Sequence, residues 1–434
     1  MSKLNGFCNI DTRQFTDIYD KYGAPAYVYD GAAVAARCAA ALSMPNAFGI
    51  GVRYAMKANS NRTLLREITQ SGLMIDASSL AEARRAVMAG VGCEKIILTS
   101  QEIPEDGDRA ILEDMMRRGL LYNVCSLRQL RLIGDFAAEN VTGLSIRVHP
   151  GVGAGESASR NTGDQYSCFG VHLKDVGAAL EYAGGKGLKF THIHTHIGSG
   201  GDPELWRGNI DRLLAIVGKY FPDAASVSFG GGLREARMPG ETAADIDALG
   251  RYAAERIGEF HVRTGRKLRM EIEPGTYIIA NAGYALTRVI DKKSTGDGGF
   301  NFIVVNGGME INARPQLYGS RHPFYVVSRD GELLFSEFDA DAGKTYGAIV
   351  TGRCCESGDT QNIDAQGKVA PRALAEPEIG DFVIIGGVGA YCSSMSPFNY
   401  NSYPQAPEVL VRENGAIELI RKRQEIEQIV ANEL

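Results

Sequence analysis

Short apolar runs recur along the first two-thirds of the chain, at Gly51–Ala55, Leu73–Ala77, Lys95–Thr99, Leu120–Val124, Leu144–Val148, Phe190–Thr195, Ser226–Phe229 and Leu268–Glu273. Most are β-branched or apolar over about five residues, the pattern of strands buried on both faces. Between them, Thr63–Ser71, Leu80–Gly90 and Ile103–Arg118 carry apolar residues at three- and four-residue spacing, which predicts amphipathic helices. Gly72, Gly90 and Gly119 stand where the helices should end. Such alternation implies parallel strands joined by right-handed crossovers. Eight strands in this arrangement predict a (β/α)8 barrel with its active site at the C-terminal ends of the strands.

After about Ala285 the pattern changes. Leu286–Ile290, Phe302–Val305, Phe324–Val327, Leu333–Phe335, Ala348–Val350, Phe382–Ile385 and Glu408–Val411 read as strands with few helical stretches between them. An early strand, Ala26–Tyr29, could join them, and Ile420–Leu434 reads as a short charged helix. The expectation is an α/β chain in two domains. One is a barrel over residues 36–285; the other is a β-rich sandwich or barrel built from residues 1–35 and 286–434. A length of 434 residues suits this division, since a barrel of this type takes about 250.

Composition narrows the function. A net charge of −6 argues against a nucleic-acid partner, which favours a basic patch. The run Arg421-Lys422-Arg423 is followed by Glu425 and Glu427 and suits a solvated face. No apolar stretch reaches the roughly 18 residues of a membrane span. Met1 to Asp20 has no basic segment leading into an apolar core, so no signal peptide and a cytoplasmic location are expected. The eight cysteines lack Cys-x-x-Cys spacing, which disfavours a zinc site or disulfide framework and predicts mostly buried thiols.

The unusual residues follow strand ends. Lys57, in Tyr54-Ala55-Met56-Lys57-Ala58-Asn59, comes after the first barrel strand. It is either an exposed loop lysine or a desolvated amine able to form a Schiff base with a phosphorylated aldehyde cofactor. Gly230-Gly231-Gly232 follows the seventh strand, where phosphate sites of this fold lie, though a plain turn would look the same. Glu271 and Glu273 share one side of the eighth strand. Either could hold a proton on a pyridine nitrogen, or the pair could make a salt bridge inside the barrel, with Arg147 as a partner. His192, His194 and His196 also alternate and could bind zinc. The Gly198-Ser199-Gly200 that follows suits a phosphate better, and stacking on a cofactor ring is the role preferred for His196.

These motifs, in this order, resemble those of the fold-type III pyridoxal-phosphate decarboxylases, the family of ornithine and diaminopimelate decarboxylases, and most of all the bacterial diaminopimelate group. The resemblance runs through Tyr54–Asn59, Asp76 with Ser78 or Ser79 and Glu82, His196–Ser199, Gly230–Gly232 and Glu273–Gly275. It continues in Arg314–Gly319, Cys355–Asp359, Gly389–Tyr391, Asn399–Ser402 and Pro407–Leu410. It implies an alanine racemase-like barrel binding pyridoxal 5'-phosphate, and decarboxylation of meso-2,6-diaminopimelate at its D-centre to L-lysine and CO2. It implies that Lys57 carries the cofactor, His196 stacks on its ring and Glu273 holds its nitrogen protonated. Asp76, Arg147, Ser199, Gly231, Gly232, Gly275 and Tyr391 complete the cofactor site. Arg314, Tyr318 and Tyr391 bind substrate. Cys355, as proton donor, and Glu356, on the distal amino group, come from the partner of a homodimer with shared sites. No metal is implied.

One departure bears on the substrate. In the family, Glu-Pro-Gly is usually followed by an Arg that binds the distal carboxylate; here it is Thr276, and a hydroxyl cannot replace a bidentate guanidinium. Arg321 or Arg353 could compensate, or both could be surface arginines. Thr276 keeps open a related decarboxylase acting on D-lysine, D-ornithine, carboxynorspermidine or a siderophore precursor. A racemase is disfavoured by Glu273, because racemases of this fold place an Arg at the ring nitrogen. A non-catalytic relative is disfavoured by the intact Lys57, Glu273, Cys355 and Tyr391.

Overall fold

The computed structural model describes residues 3–6, 8–151, 163, 166–198, 202–339, 343–364, 366 and 368–434. By contacts the chain forms two compact units. One comprises residues 37–235 and 243–278; the other comprises 1–36, 236–242 and 279–434.

In the β-rich unit the early strand is β1 (Ala26–Asp30). The first unit is a closed barrel of eight parallel strands: β2 (Ile50–Ala55), β3 (Met74–Ala77), β4 (Ile96–Leu98), β5 (Leu121–Val124), β6 (Leu144–Arg147), β7 (Phe190–His194), β8 (Ser226–Ser228) and β9 (Arg269–Ile272). All eight strands lie where the hydrophobic pattern placed them, most of them shorter by a residue or two at the ends. Period-two alternation divides each strand. Ile146, Ile193 and Val227 are fully buried on one face, while Ser145 and Arg147, His192 and His194, and Ser226 and Ser228 take the other. Barrels of this type usually fill their interior with branched apolar side chains. Here much of the filling is polar, and every such group needs a partner.

Helices separate the strands. Gly72, Gly90 and Gly119 follow three of them in left-handed conformations (φ 100°, 94° and 100°) that favour glycine. The helix expected over Ile103–Arg118 begins only at Asp106, because Pro104 precedes it and the cap is Glu105.

The second unit adds β10 (Gly283–Ser294), β11 (Asn301–Val305), β12 (Phe324–Val327), β13 (Leu333–Ser336), β14 (Tyr346–Thr351), β15 (Arg372–Leu374), β16 (Phe382–Gly386), β17 (Glu408–Val411) and β18 (Ile417–Arg421). With β1 they make a ten-stranded sheet among the described residues, in which β1 lies between β10 and β17. The twelve-residue β10 serves two ladders. Its first half pairs with β1 and β16; past an irregularity between Val289 and Asp291 it pairs with β11. Val28, Leu286, Val327, Ile384 and Val409 meet Phe15 and Ile18 of the helix Thr12–Tyr22 in one apolar core.

The expected tail helix is corrected. Ile417–Arg421 is an antiparallel strand on β17, and only Ile426–Ile429 is helical. As the outermost strand of this arm, β18 carries charged residues, which made it read as a helix face. Six cysteines are buried as expected; Cys168 joins Cys355 as exposed.

Candidate active site

The barrel interior carries two layers of hydrogen-bonded polar side chains. In the lower layer, His192 Nδ1 lies 2.7 Å from Ser145 Oγ, and His192 Nε2 lies 3.0 Å from Glu271 Oε2. Ser145 donates to Asn123 (2.8 Å), and Asn123 donates to Thr99 (3.0 Å). Arg53 Nε binds Glu271 at 2.7 Å. Arg53 is thus the buried ionic partner of Glu271, not Arg147, because β2 is the neighbour that closes the barrel against β9. Burial alone would raise the Glu271 carboxyl; His192 and Arg53 reverse this and hold it well below the usual carboxylate range.

The upper layer lies two residues along each strand. The register sets Arg147 beside His194 and His194 beside Ser228. Glu273, just past β9, accepts from Ser228 Oγ at 2.7 Å on Oε1 and pairs with His194 Nε2 at 2.8 Å on Oε2. Asp76 is the penultimate residue of β3. Its carboxyl is pushed up to about 7 by burial and by the Glu273 charge, against the opposing pull of Lys57. Asp76 Oδ1, Arg147 Nε and Arg147 Nη2 are buried without hydrogen-bond partners. Buried polar atoms of this kind are costly unless a ligand or water meets them.

Lys57 sits exposed in a single 3-10 turn, Met56–Ala58, at the end of β2. His196, past β7, accepts the Gly231 N–H on Nδ1 at 3.1 Å. Burial, then Arg147 and Lys57, push His196 well below its usual range, so its imidazole is neutral. The glycines after β8 are required by packing. A Cβ on Gly231 would stand 2.5 Å from the Glu273 carbonyl oxygen, and one on Gly232 2.4 Å from that of Gly198. Gly275 follows β9, two residues after Glu273, and is buried. Ser199 lies outside the described residues. Thr276 is half-buried at the start of the short helix Thr276–Ile279.

These groups fit pyridoxal phosphate. An amine, a carboxylate, a neutral imidazole and a glycine turn gather at the C-terminal strand ends, beside buried donors and an acceptor without partners.

In the β-rich unit, Arg314 is 2% exposed. Its guanidinium lies 5.5 Å from the Tyr318 ring and 5.6 Å from the Tyr391 ring. Tyr391 takes a left-handed conformation (φ 60°). The Cys355–Asp359 loop is anchored from beneath. Asp359 accepts from Met309 N (2.7 Å) and Cys354 N (2.8 Å), leaving Cys355 and Glu356 exposed. Cys355 N donates to Asn401 (2.9 Å), and Tyr400 donates to Glu356 (3.2 Å), so two motifs more than forty residues apart meet. The N–H of Gly358 and the hydroxyls of Ser357 and Tyr400 hold the Glu356 carboxyl below its usual range. Arg353 is engaged by Glu310 (3.1 Å) and the Tyr403 ring (3.9 Å); Arg321 is exposed.

The residues that sequence reasoning missed are Ser228 and the specific roles of His194 and Arg53. Alternation marked the side His194 faces, but the partners of all three depend on inter-strand register.

The profile of a family described as "Pyridoxal-dependent decarboxylase, pyridoxal binding domain" matches residues 33–280. The chain is a (β/α)8 enzyme of the pyridoxal-dependent decarboxylase family, and its cofactor is pyridoxal phosphate. It is similar to the diaminopimelate decarboxylase of Escherichia coli, with 35% identity over 95% of this chain and 94% of that one. It is also similar to the diaminopimelate decarboxylase of Streptomyces coelicolor, with 33% identity over 95% and 90%. Among solved structures, a diaminopimelate decarboxylase is 30% identical, with TM-score 0.87 over 100% of this chain and 99% of that one. The Helicobacter pylori diaminopimelate decarboxylase complexed with L-lysine is 25% identical, with TM-score 0.79 over 96% and 98%. Among the described residues no helix is long and apolar enough to cross a membrane.

Proposed function

We propose that this enzyme decarboxylates meso-2,6-diaminopimelate to L-lysine and CO2, as the last step of lysine biosynthesis, working in the cytoplasm as a homodimer. The observation that carries this reading is the near-full-length similarity to diaminopimelate decarboxylases, at 35% identity over 95% of the chain.

Bound pyridoxal phosphate supplies an electron sink for the charge left when CO2 departs. Lys57 would hold the cofactor through its side-chain amine. Glu273, fully ionised and clamped on both oxygens, keeps a proton on the ring nitrogen. The neutral His196 stacks against the ring; as a neutral group it does not compete with Glu273 for that proton. Asp76 and Arg147 line the same cofactor site. The turn of Gly231 and Gly232, with Gly275 and Ser199, would hold the phosphate, and Tyr391 is assigned to the same group by the family resemblance. Arg314 and Tyr318 take the far end of the substrate, with Tyr391. The exposed Cys355 and Glu356 reach the partner's site. There Cys355 returns a proton to the carbon that lost CO2, and Glu356 binds the distal amino group.

A second reading rests on Thr276. Arg353 is already committed to Glu310 and Tyr403, so it offers no free guanidinium in place of the family's Arg. This favours a distal pocket altered toward another basic or carboxylated amine. The test is CO2 release by the cofactor-loaded protein with meso-diaminopimelate, beside D-lysine, D-ornithine, L-ornithine, L-arginine and carboxynorspermidine. Strong preference for meso-diaminopimelate is expected. Turnover of another compound alone would overturn the first reading in favour of the second.

A further inference from the structure

Of the three alternating histidines, His192 belongs to the lower layer and His196 to the mouth of the barrel. His194 lies between them, 1% exposed, with its Nε2 2.8 Å from Glu273 Oε2. We infer that His194 is a positioning residue for the reaction: it clamps the Glu273 oxygen that Ser228 leaves free and so keeps that carboxylate ionised and fixed for the ring nitrogen of the cofactor. The inference rests on the assignment of Glu273 to that nitrogen.

The clamp has two independent jaws. Ser228 Oγ reaches Oε1 and His194 Nε2 reaches Oε2, so neither oxygen is left to rotate. Both jaws come from the adjacent strands β7 and β8, paired in register. The charge state of His194 follows from its other nitrogen. Nδ1 is buried without a partner. A protonated ring would place an unpaired N–H there, which costs more than an unused lone pair. His194 therefore donates through Nε2, and Glu273 is lowered first by the electrostatic pull of His194 and then by this hydrogen bond. The titratable groups facing the pair are Arg147 on β6, Asp76 on β3, Cys125 after β5, Lys57 after β2, His196 after β7, and His192 with Glu271 in the layer below. Burial drives His194 below its usual range, and Arg147 adds to this, although Glu273 pulls the other way. Without His194, burial and the neighbouring Asp76 would draw a proton onto Glu273, and a protonated acid cannot hold one on the ring.

The test compares His194→Leu, His194→Gln and Glu273→Gln by two readouts: the dissociation constant of pyridoxal phosphate from the apoprotein, and the pH titration of the bound cofactor's visible absorbance. His194→Leu should weaken cofactor binding roughly ten- to a hundredfold and shift the titration, as expected for loss of a hydrogen bond to a charged group. His194→Gln, whose amide N–H can still reach Glu273, should recover most of both. If the leucine variant does not fold, His194→Asn, whose amide is too short to reach Glu273, should show the same losses. Wild-type values in His194→Leu would overturn the inference. So would a His194→Gln variant as impaired as His194→Leu, since packing alone would then account for the loss. If Glu273→Gln itself changes neither readout, the Glu273 assignment has failed. If Glu273→Gln changes them and His194→Leu does not, only the positioning role has failed.

Discussion

At the scale of single residues, the chemistry depends on charges that burial would otherwise suppress. Asp76 shows what happens where compensation is incomplete. Its folded pKa of about 7 stands above the unfolded value of 3.8. A raised acid contributes stability that is fully present below the unfolded pKa and is lost as pH rises through the folded one. The apoprotein should therefore lose melting temperature between about pH 4 and pH 7. Asp76→Asn should flatten that part of the profile, and thermal melts across this range would show it. Lys57→Ala should abolish both cofactor absorbance and CO2 release; retention of either would refute its role as the cofactor amine. Lys57, Glu273 and His196 were legible in the sequence because each follows a strand end within a compact motif. His194 and Ser228 were not, because a residue's alternation gives its face but not its neighbour.

At the scale of elements, strand register decides which polar groups meet. Glu271 on β9 finds His192 on β7 and Arg53 on β2, the latter 218 residues away and brought to it by the β2–β9 pairing that closes the barrel. Removing one partner of such a buried pair leaves an uncompensated charge. Arg53→Leu should destabilise the protein by about 3–5 kcal/mol in denaturant unfolding, more than an exposed ion pair such as Arg118–Asp114 could account for. The depressed Glu271 carboxyl adds a sign to this. Its stability is present above the unfolded pKa and lost as pH falls toward the folded one, so the barrel should be acid-labile through this pair. The turn after β8 is equally constrained. Gly231→Ala would press a methyl against the Glu273 carbonyl at 2.5 Å, so cofactor affinity should fall even in protein that still folds. Equilibrium titration of the apoprotein with pyridoxal phosphate would measure it. Here the glycines stood out in the sequence as a run after a strand, whereas their packing against His196 and Glu273 emerged only in three dimensions.

At the scale of the whole molecule, the proposed dimer makes the strongest demand. If Cys355 acts in the partner's site, Cys355→Ala and Lys57→Ala proteins, each inactive alone, should regain part of the CO2-releasing activity when mixed under subunit exchange. Absence of recovery, with exchange demonstrated by a labelled subunit, would count against shared sites. The exposure of Cys355 and Glu356 on a loop anchored by Asp359 suits such a role.

Local patterns determined the element types. Eight short apolar runs spaced by amphipathic helices leave little but a parallel barrel, because period and length alone dictate which faces must be buried. They also determined where chemistry lies, since residues just past strand ends fall on one rim. Charged edge elements escaped this logic: β18 and the short β15 are held as strands by pairing with β17 and β14, not by their own apolar content. Only the tertiary structure decided the partners. Arg53, not Arg147, neutralises Glu271, and His194 with Ser228 brackets Glu273, because closure and register bring distant strands to hydrogen-bonding distance and no local propensity encodes that spacing.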